Sequence, residues 1–252
     1  MKTQILNKLE ITRVANACVL MKIGSLSVLT DPFFYNPSYM GIDEQPAMKV
    51  KELPILSAII GCHSVPDHWQ IQTLASYPHK DKVPVFVATK SMAKKAKAIG
   101  FRSVEVLEWG NHRKISDSLN LETLKAHKSL GMKVNSYVLR DKEISVFFGS
   151  EARDLEPLRE YRRNNPKVDV VLAPVNAVHL FGFFKLVMSG KDAVVATKIL
   201  GAKILFVIHD SHRKRPFLIG IKSSGKDAIE TAKLESEVEV IRLRAGKSWK
   251  YG

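Results

Sequence analysis

The sequence predicts an α/β fold of four layers, with two mixed sheets face to face and helices outside. Short β-branched and aromatic runs bounded by turn residues alternate with amphipathic segments, as strands and helices do. The order of elements also repeats: hairpins followed by helix–strand units occur twice, which suggests two packed sheets. Three of the apolar runs end on a residue able to bind a metal. Residues 55–62 lead into His63, residues 144–150 into Glu151, and residues 204–208 into His209. Loops just past strand ends are where rigid sheets aim functional side chains.

Taken in order, strands are expected over 9–14, 18–23 and 26–30, with Gly24-Ser25 as a hairpin turn. A short helix is expected over 69–76 and a strand over 83–88. A helix over 91–100 follows, stopped by Gly100, then a strand over 104–107 and a turn at Gly110-Asn111. The second half offers strands over 136–139 and 144–148, a helix over 155–164 and a strand over 168–173. A helix over 191–200, a strand over 203–208, a helix over 226–234 and a strand over 237–243 complete it. The pattern from Ser103 to Ile115 is echoed from Glu237 to Lys250, each time a helix, a strand, a glycine turn and another strand. Nothing rich in Pro, Gly or Ser separates the halves, so residues 1–252 are expected to form one domain.

Apolar residues at 45% and charged residues at 25% are ordinary for a globular protein. No apolar run is long enough for a spanning helix, and the first eight residues lack a signal core, which points to a cytoplasmic protein. Cys18 and Cys62 are too few for a disulfide scaffold. The excess of 39 Lys+Arg over 25 Asp+Glu, a formal +14, favours anionic partners. The lysines from Lys90 to Lys97 fall at helical spacing on one exposed face, which is no nucleic-acid motif, and nucleic acid ranks low as a partner.

His63, Asp67 and His68 form a His-x-x-x-Asp-His cluster on the first strand-end loop. Imidazole and carboxylate at this spacing are ligands for a divalent ion, so a metal site is the leading expectation. Here the chain resembles a known family. The stretch Thr12 to Phe34 with Leu29-Thr30-Asp31-Pro32, the motif His63-Ser64-Val65-Pro66-Asp67-His68 and the close Ala245-Gly246-Lys247-Ser248-Trp249 look like the metallo-β-lactamase superfamily. The nearest branch is that of ascorbate-6-phosphate lactonase and N-acyl-phosphatidylethanolamine phospholipase D. The resemblance implies an αββα sandwich with a metal site on one edge. It further implies His127 as the next ligand, Glu151 where the family has a bridging Asp, and His209 as the final His.

Two departures have physical consequences. Val65 replaces a ligating His, so the site of His63 and His127 loses one of three imidazoles, and Glu151 is one methylene longer than Asp. The expected holo state holds one ion on Asp67, His68 and His209, with conditional occupancy of a second on His63, His127 and Glu151. Zinc is the first expectation, manganese or iron the alternatives. Asp31 is expected to hold a ligand imidazole in place, or else to be a plain Asp-Pro turn. His179, Lys185, His212 and Arg213 are expected to bind the substrate, with Lys214 and Arg215 on the same basic rim; His179 has a second reading as a replacement for the imidazole missing at 65. The apolar segment 178–188 is read as a pocket wall or as a contact between copies of the chain. Ser129, Ser150 and Cys62 have no nucleophile signature around them.

The function these readings imply is hydrolysis of a small anionic, phosphorylated ester, a phosphodiester or a lactone. Its nucleophile would be hydroxide from water acidified by the metal, with Asp67 binding the metal and orienting that nucleophile. The alternative is a family member with impaired catalysis that binds an anionic ligand or a macromolecule in the old cleft.

Overall fold

The structure is a computed structural model that describes residues 8–129, 131–235 and 237–252. The N-terminal stretch read above for a leader lies almost wholly outside the described residues. The first half builds β1 (Leu9–Ala15), β2 (Cys18–Ile23), β3 (Leu26–Thr30), β4 (Ala58–Gly61), β5 (Val85–Val87), α1 (Lys90–Ala98) and β6 (Val104–Val106). Next come β7 (His112–Lys114), β8 (Asn120–Ser129), β9 (Met132–Arg140), β10 (Ser145–Phe148), α2 (Glu156–Asn164) and β11 (Val170–Pro174). The chain ends with β12 (Val178–Leu180), β13 (Phe184–Lys185), α3 (Gly190–Ile199), β14 (Ile204–Ile208), β15 (Ile219–Ile221), α4 (Gly225–Glu235), β16 (Glu239–Ile241) and β17 (Ser248–Tyr251).

Two seven-stranded sheets result, in the orders β17-β1-β2-β3-β4-β5-β6 and β7-β8-β9-β10-β11-β14-β16. Each begins with antiparallel hairpins and ends in parallel strands, from β3 onward in one and from β10 onward in the other. The sequence echo therefore has a topological meaning. After β6 the chain crosses to the edge of the second sheet, and after β16 it crosses back to the edge of the first. Even the irregularities match, since β1 and β8 occupy the same place in their sheets and each carries a bulge near its end.

The inner faces of both sheets, among them Ile11, Met21, Ile60, Phe148, Leu172 and Phe206, bury one shared core. The outer face of the first sheet packs α1 and the short 3-10 helix Ile71–Ser76 through Trp69, Leu74, Met92 and Ala96. The second sheet packs α2, α3 and α4 through Leu158, Val194, Leu200 and Ala228. This is the αββα order expected. Local chemistry sets the helix ends: Thr89 caps α1 by accepting from Met92 N–H, and Ser189 with Asp192 forms a capping box on α3. Gly100, at φ +102°, ends the turn after α1.

One expectation changes. The helix foreseen over 69–76 is a 3-10 helix over Ile71–Ser76, with Pro78 just beyond to keep it from lengthening. Residues 178–185 form the hairpin β12–β13, turned at Gly182 with φ +77°, and β15 joins it in a three-stranded sheet. β-Branched and aromatic residues such as Val178 and Phe184 favour the extended form here.

At Gly61 a helix-facing layer packs closely against the sheet. A Cβ there would lie 2.4 Å from Trp69 Cζ3 and 2.7 Å from Met92 Cε. Gly61→Ala should cost about 1–3 kcal/mol by urea denaturation; unchanged stability would contradict this packing.

Candidate metal centre

Five strand ends converge on one edge between the sheets. β3 delivers Asp31, β4 delivers the loop with His63, Asp67 and His68, β10 delivers Ser150 and Glu151, β11 leads to Asn176, and β14 delivers His209 with His212 beyond it. Three of these residues sit in the left-handed region: Asp31 at φ +36°, Ser150 at φ +31° and His209 at φ +54°. Such backbone is costly for residues with a side chain and persists where the surroundings overdetermine it.

One ligand-capable atom from each of Asp67, His68, Glu151 and His209 lies within 4.8 Å of all the others. His68 Nδ1 is 2.8 Å from buried Asp31 Oδ2, so this nitrogen carries the proton and donates it. His209 Nδ1 donates to Asn176 Oδ1 at 3.2 Å. Both imidazoles consequently turn their Nε2 lone pairs inward, and the two Nε2 atoms stand 3.1 Å apart. Facing lone pairs repel. A proton or a cation must lie between them, and two carboxylates stand ready to balance it: Asp67 Oδ2 is 3.5 Å and Glu151 Oε1 is 3.4 Å from His68 Nε2.

Protonation equilibria reflect the same geometry. Burial opposes charge on His68, but Asp67, Glu151 and the hydrogen bond to Asp31 outweigh it and raise its pKa well above the ordinary value. Burial would raise Asp67 and Glu151, yet the neighbouring imidazoles hold both carboxyls below the usual range. His209 is lowered by burial and by His212 and His68, so it is neutral.

Glu151 spans outward as well. Its Oε2 is 2.7 Å from His63 Nδ1, although the ring is not aligned for a hydrogen bond. Among the described residues, neither nitrogen of buried His63 nor of buried His127 has a hydrogen-bond partner. His127 follows the bulge in β8, which re-aims it. Its pKa falls to about 4 through burial and the Arg153 charge, leaving it neutral and able to donate a lone pair. Orphaned buried nitrogens beside an anchored carboxylate fit a cation better than a closed structural network.

Not all predicted site residues come together. His212 is nearer the centre than a rim: its Nε2 is 3.1 Å from Asp67 Oδ2 and its ring stacks on His209 with centroids 4.2 Å apart. Arg213 lines the cleft and pairs with Asp43 at 2.6 Å. His179 and Lys185 do not line it; the former bonds the Ala177 carbonyl and the latter pairs with Asp192 at 2.6 Å. On β12 the flanking Val178 and Leu180 face the cleft, so alternation turns His179 away. Val65 lines the cleft. Cys62 is buried, and burial with the Asp31 charge pushes its thiol well up, so it is no nucleophile.

Sequence reasoning missed two asparagines. Asn16, at φ +52°, donates to the Asp67 carbonyl at 2.9 Å, and its own carbonyl accepts from His209 N–H at 3.1 Å. Asn176 holds His209 through Oδ1, and its Nδ2 lies 3.3 Å from His212 Nδ1. The one available signal was an Asn just past each strand, and for Asn16 the left-handed backbone that Asn tolerates better than most residues.

The sequence profile of the beta-lactamase superfamily domain matches residues 27–209, well over half of the chain, and the chain belongs to that family. No curated protein sequence matches it. Among solved structures it is similar to Igni18, described as a novel metallo hydrolase of the hyperthermophilic archaeon Ignicoccus hospitalis. That match has 13% identity and a TM-score of 0.73 over 97% of this chain and 98% of that one. An isothiocyanate hydrolase from Delia radicum gut bacteria matches at 15% identity and TM-score 0.75, over 95% and 98% of the two chains. CmlA, a diiron beta-hydroxylase of Streptomyces venezuelae, matches at 16% identity and TM-score 0.72, over 97% of this chain and 54% of that one. At such identities the likeness is one of fold.

Because Asp67, Glu151 and Asp31 raise the His68 pKa well above its ordinary value, zinc uptake at neutral pH should release about one proton per ion. Calorimetry in two buffers of different ionisation enthalpy reads this directly. Equal binding enthalpies in both would contradict a protonated His68 in the metal-free site.

Proposed function

We propose that this chain is a metal-dependent hydrolase of a small anionic substrate: a phosphorylated ester, a phosphodiester or a lactone. The observation that carries the reading is the pair of inward Nε2 atoms, 3.1 Å apart and flanked by two ionised carboxylates. Asp67, His68, Glu151 and His209 would hold one divalent ion, with zinc, manganese and iron all compatible with an N/O donor set. His63, His127 and the outer oxygen of Glu151 would hold a second, weaker one. An ion there supplies Lewis acidity, polarising an ester oxygen and making water ionise near a pKa of about 7.

The protein's own groups then have distinct work. Asp31 and Asn176 fix the tautomers of His68 and His209, so the lone pairs point inward without reorganisation. Asp67 Oδ2 accepts from His212 Nε2–H, which fixes one carboxylate oxygen and leaves the other to orient the nucleophile. Arg213 and Arg215, on the cleft wall, attract the substrate's negative charge. Both sheets contribute side chains, so the described residues would act as one functional unit. Among them no helix is long and apolar enough to cross a membrane.

Val65 favours a second reading, a binding protein on a hydrolase scaffold, because it removes a ligand from the outer site. Turnover separates the two. In protein reconstituted with zinc or manganese, His209→Ala and Glu151→Gln should each lower kcat/KM for a generic phosphodiester or lactone by at least about a thousandfold, with circular dichroism unchanged. Retained rates would contradict the assignment. No turnover in the wild type with any of the three metals would favour the binding protein.

A further inference from the structure

The cleft above the cluster is about 260 Å³, room for a body on the order of eight to ten non-hydrogen atoms. Its lining sets the apolar side chains of Val65, Met132, Val178, Leu180, Leu186 and Ile219 beside the cluster residues and Arg213 and Arg215, and most of its surface is apolar. A polar body such as a sugar would leave its hydroxyls unpaired against these side chains, at about 1–3 kcal/mol for each lost partner. An apolar body gains instead. Val65 belongs to this wall: where the family motif has an imidazole, this chain presents an isopropyl group.

Among the described residues, one cation at the cleft edge has no carboxylate partner. Arg213 is paired with Asp43, but among the described residues no carboxylate pairs with Arg215. Its guanidinium donates to the Tyr39 carbonyl and lies flat over Gly41, where a Cβ would come within 2.7 Å of both Nε and Nη2. Gly41 thus admits the arginine and the Tyr39 carbonyl anchors it at the mouth. Beyond it, a second hollow of about 460 Å³ shares Arg215, Leu218 and Ile219 with the cleft and adds Phe181 and Phe217, the latter 99% exposed. The apolar surface therefore continues outward past the arginine.

We propose that the ligand of this cleft is an anionic amphiphile, with an alkyl or aromatic body against the Val65–Leu180–Ile219 wall and a phosphate or carboxylate on Arg215. As a statement about substrate it rests on the hydrolase reading above; as a statement about binding it does not. The test is a series of n-alkyl phosphates from ethyl to decyl, titrated calorimetrically into zinc-loaded protein. Each added methylene buries roughly 0.8 kcal/mol, so Kd should fall about threefold to fourfold per carbon until the cleft is full, then level off. Leu180→Asn should flatten the slope. Leu186→Phe, which fills the cleft with apolar volume, should move the plateau to shorter chains. Arg215→Gln should weaken every member about tenfold and leave the slope unchanged. Affinity independent of chain length, or a slope unaltered by both leucine variants, would overturn the proposal. A steep slope in a protein without turnover keeps the amphiphile and discards the hydrolase; a flat slope with turnover does the reverse.

Discussion

Asp31 is the constraint on which the site depends. It is fully buried, and its carboxylate collects three hydrogen bonds from three parts of the chain: Cys62 N–H at 2.7 Å, His68 Nδ1–H at 2.8 Å and the Ser150 hydroxyl. Cys62 and His68 belong to the first sheet's loops and Ser150 to the turn just past β10 of the second, so one side chain joins the two sheets where the cleft opens. A buried carboxylate is expensive unless each oxygen is satisfied. Here the satisfaction also fixes the His68 tautomer. Losing the acceptor would leave three donors unpaired, each at about 1–3 kcal/mol, and free His68 to turn.

The second element of the design is topological. Two sheets of identical strand order face each other, and the strands that switch from antiparallel to parallel, β3 and β10, end in Asp31 and in Ser150-Glu151. The neighbouring parallel strands of each sheet, β4 and β11, lead to His63 and to Asn176; one sheet thus supplies Asp31 and the loop of His63, Asp67 and His68, and the other supplies Glu151, Asn176 and His209. The bulges in β1 and β8 lie at matching places, near Asn16 and at His127. A repeated half-fold explains how two distant stretches of sequence come to serve one edge.

Much of this was legible. The runs ending at His63, Glu151 and His209 were visible as strands with ligand-type residues just past their ends, because period and composition report burial directly. The four layers followed from the repeated order of elements. What stayed hidden depended on through-space geometry. His212 read as part of a basic rim with Arg213 and Lys214, but the bend after β14 folds it onto His209 and Asp67. His179 and Lys185 fell near the expected edge in sequence, yet hairpin alternation and the Asp192 pairing turn them elsewhere. Asn16 and Asn176 were invisible because an Asn beyond a strand is ordinary turn composition; only its partners reveal what it holds. The reach of Glu151 toward both His63 and His68 was likewise a matter of one methylene and its direction.

The central claim is that Asp67, His68, Glu151 and His209 form a cation site. Plasma mass spectrometry on tag-free protein purified without chelator, in parallel with His209→Ala, tests it most directly. The account predicts about one equivalent of zinc, manganese or iron in the wild type, restored after chelation by adding the metal back and lost in the variant. Metal below about a tenth of an equivalent after reconstitution, or equal metal in the variant, would contradict it.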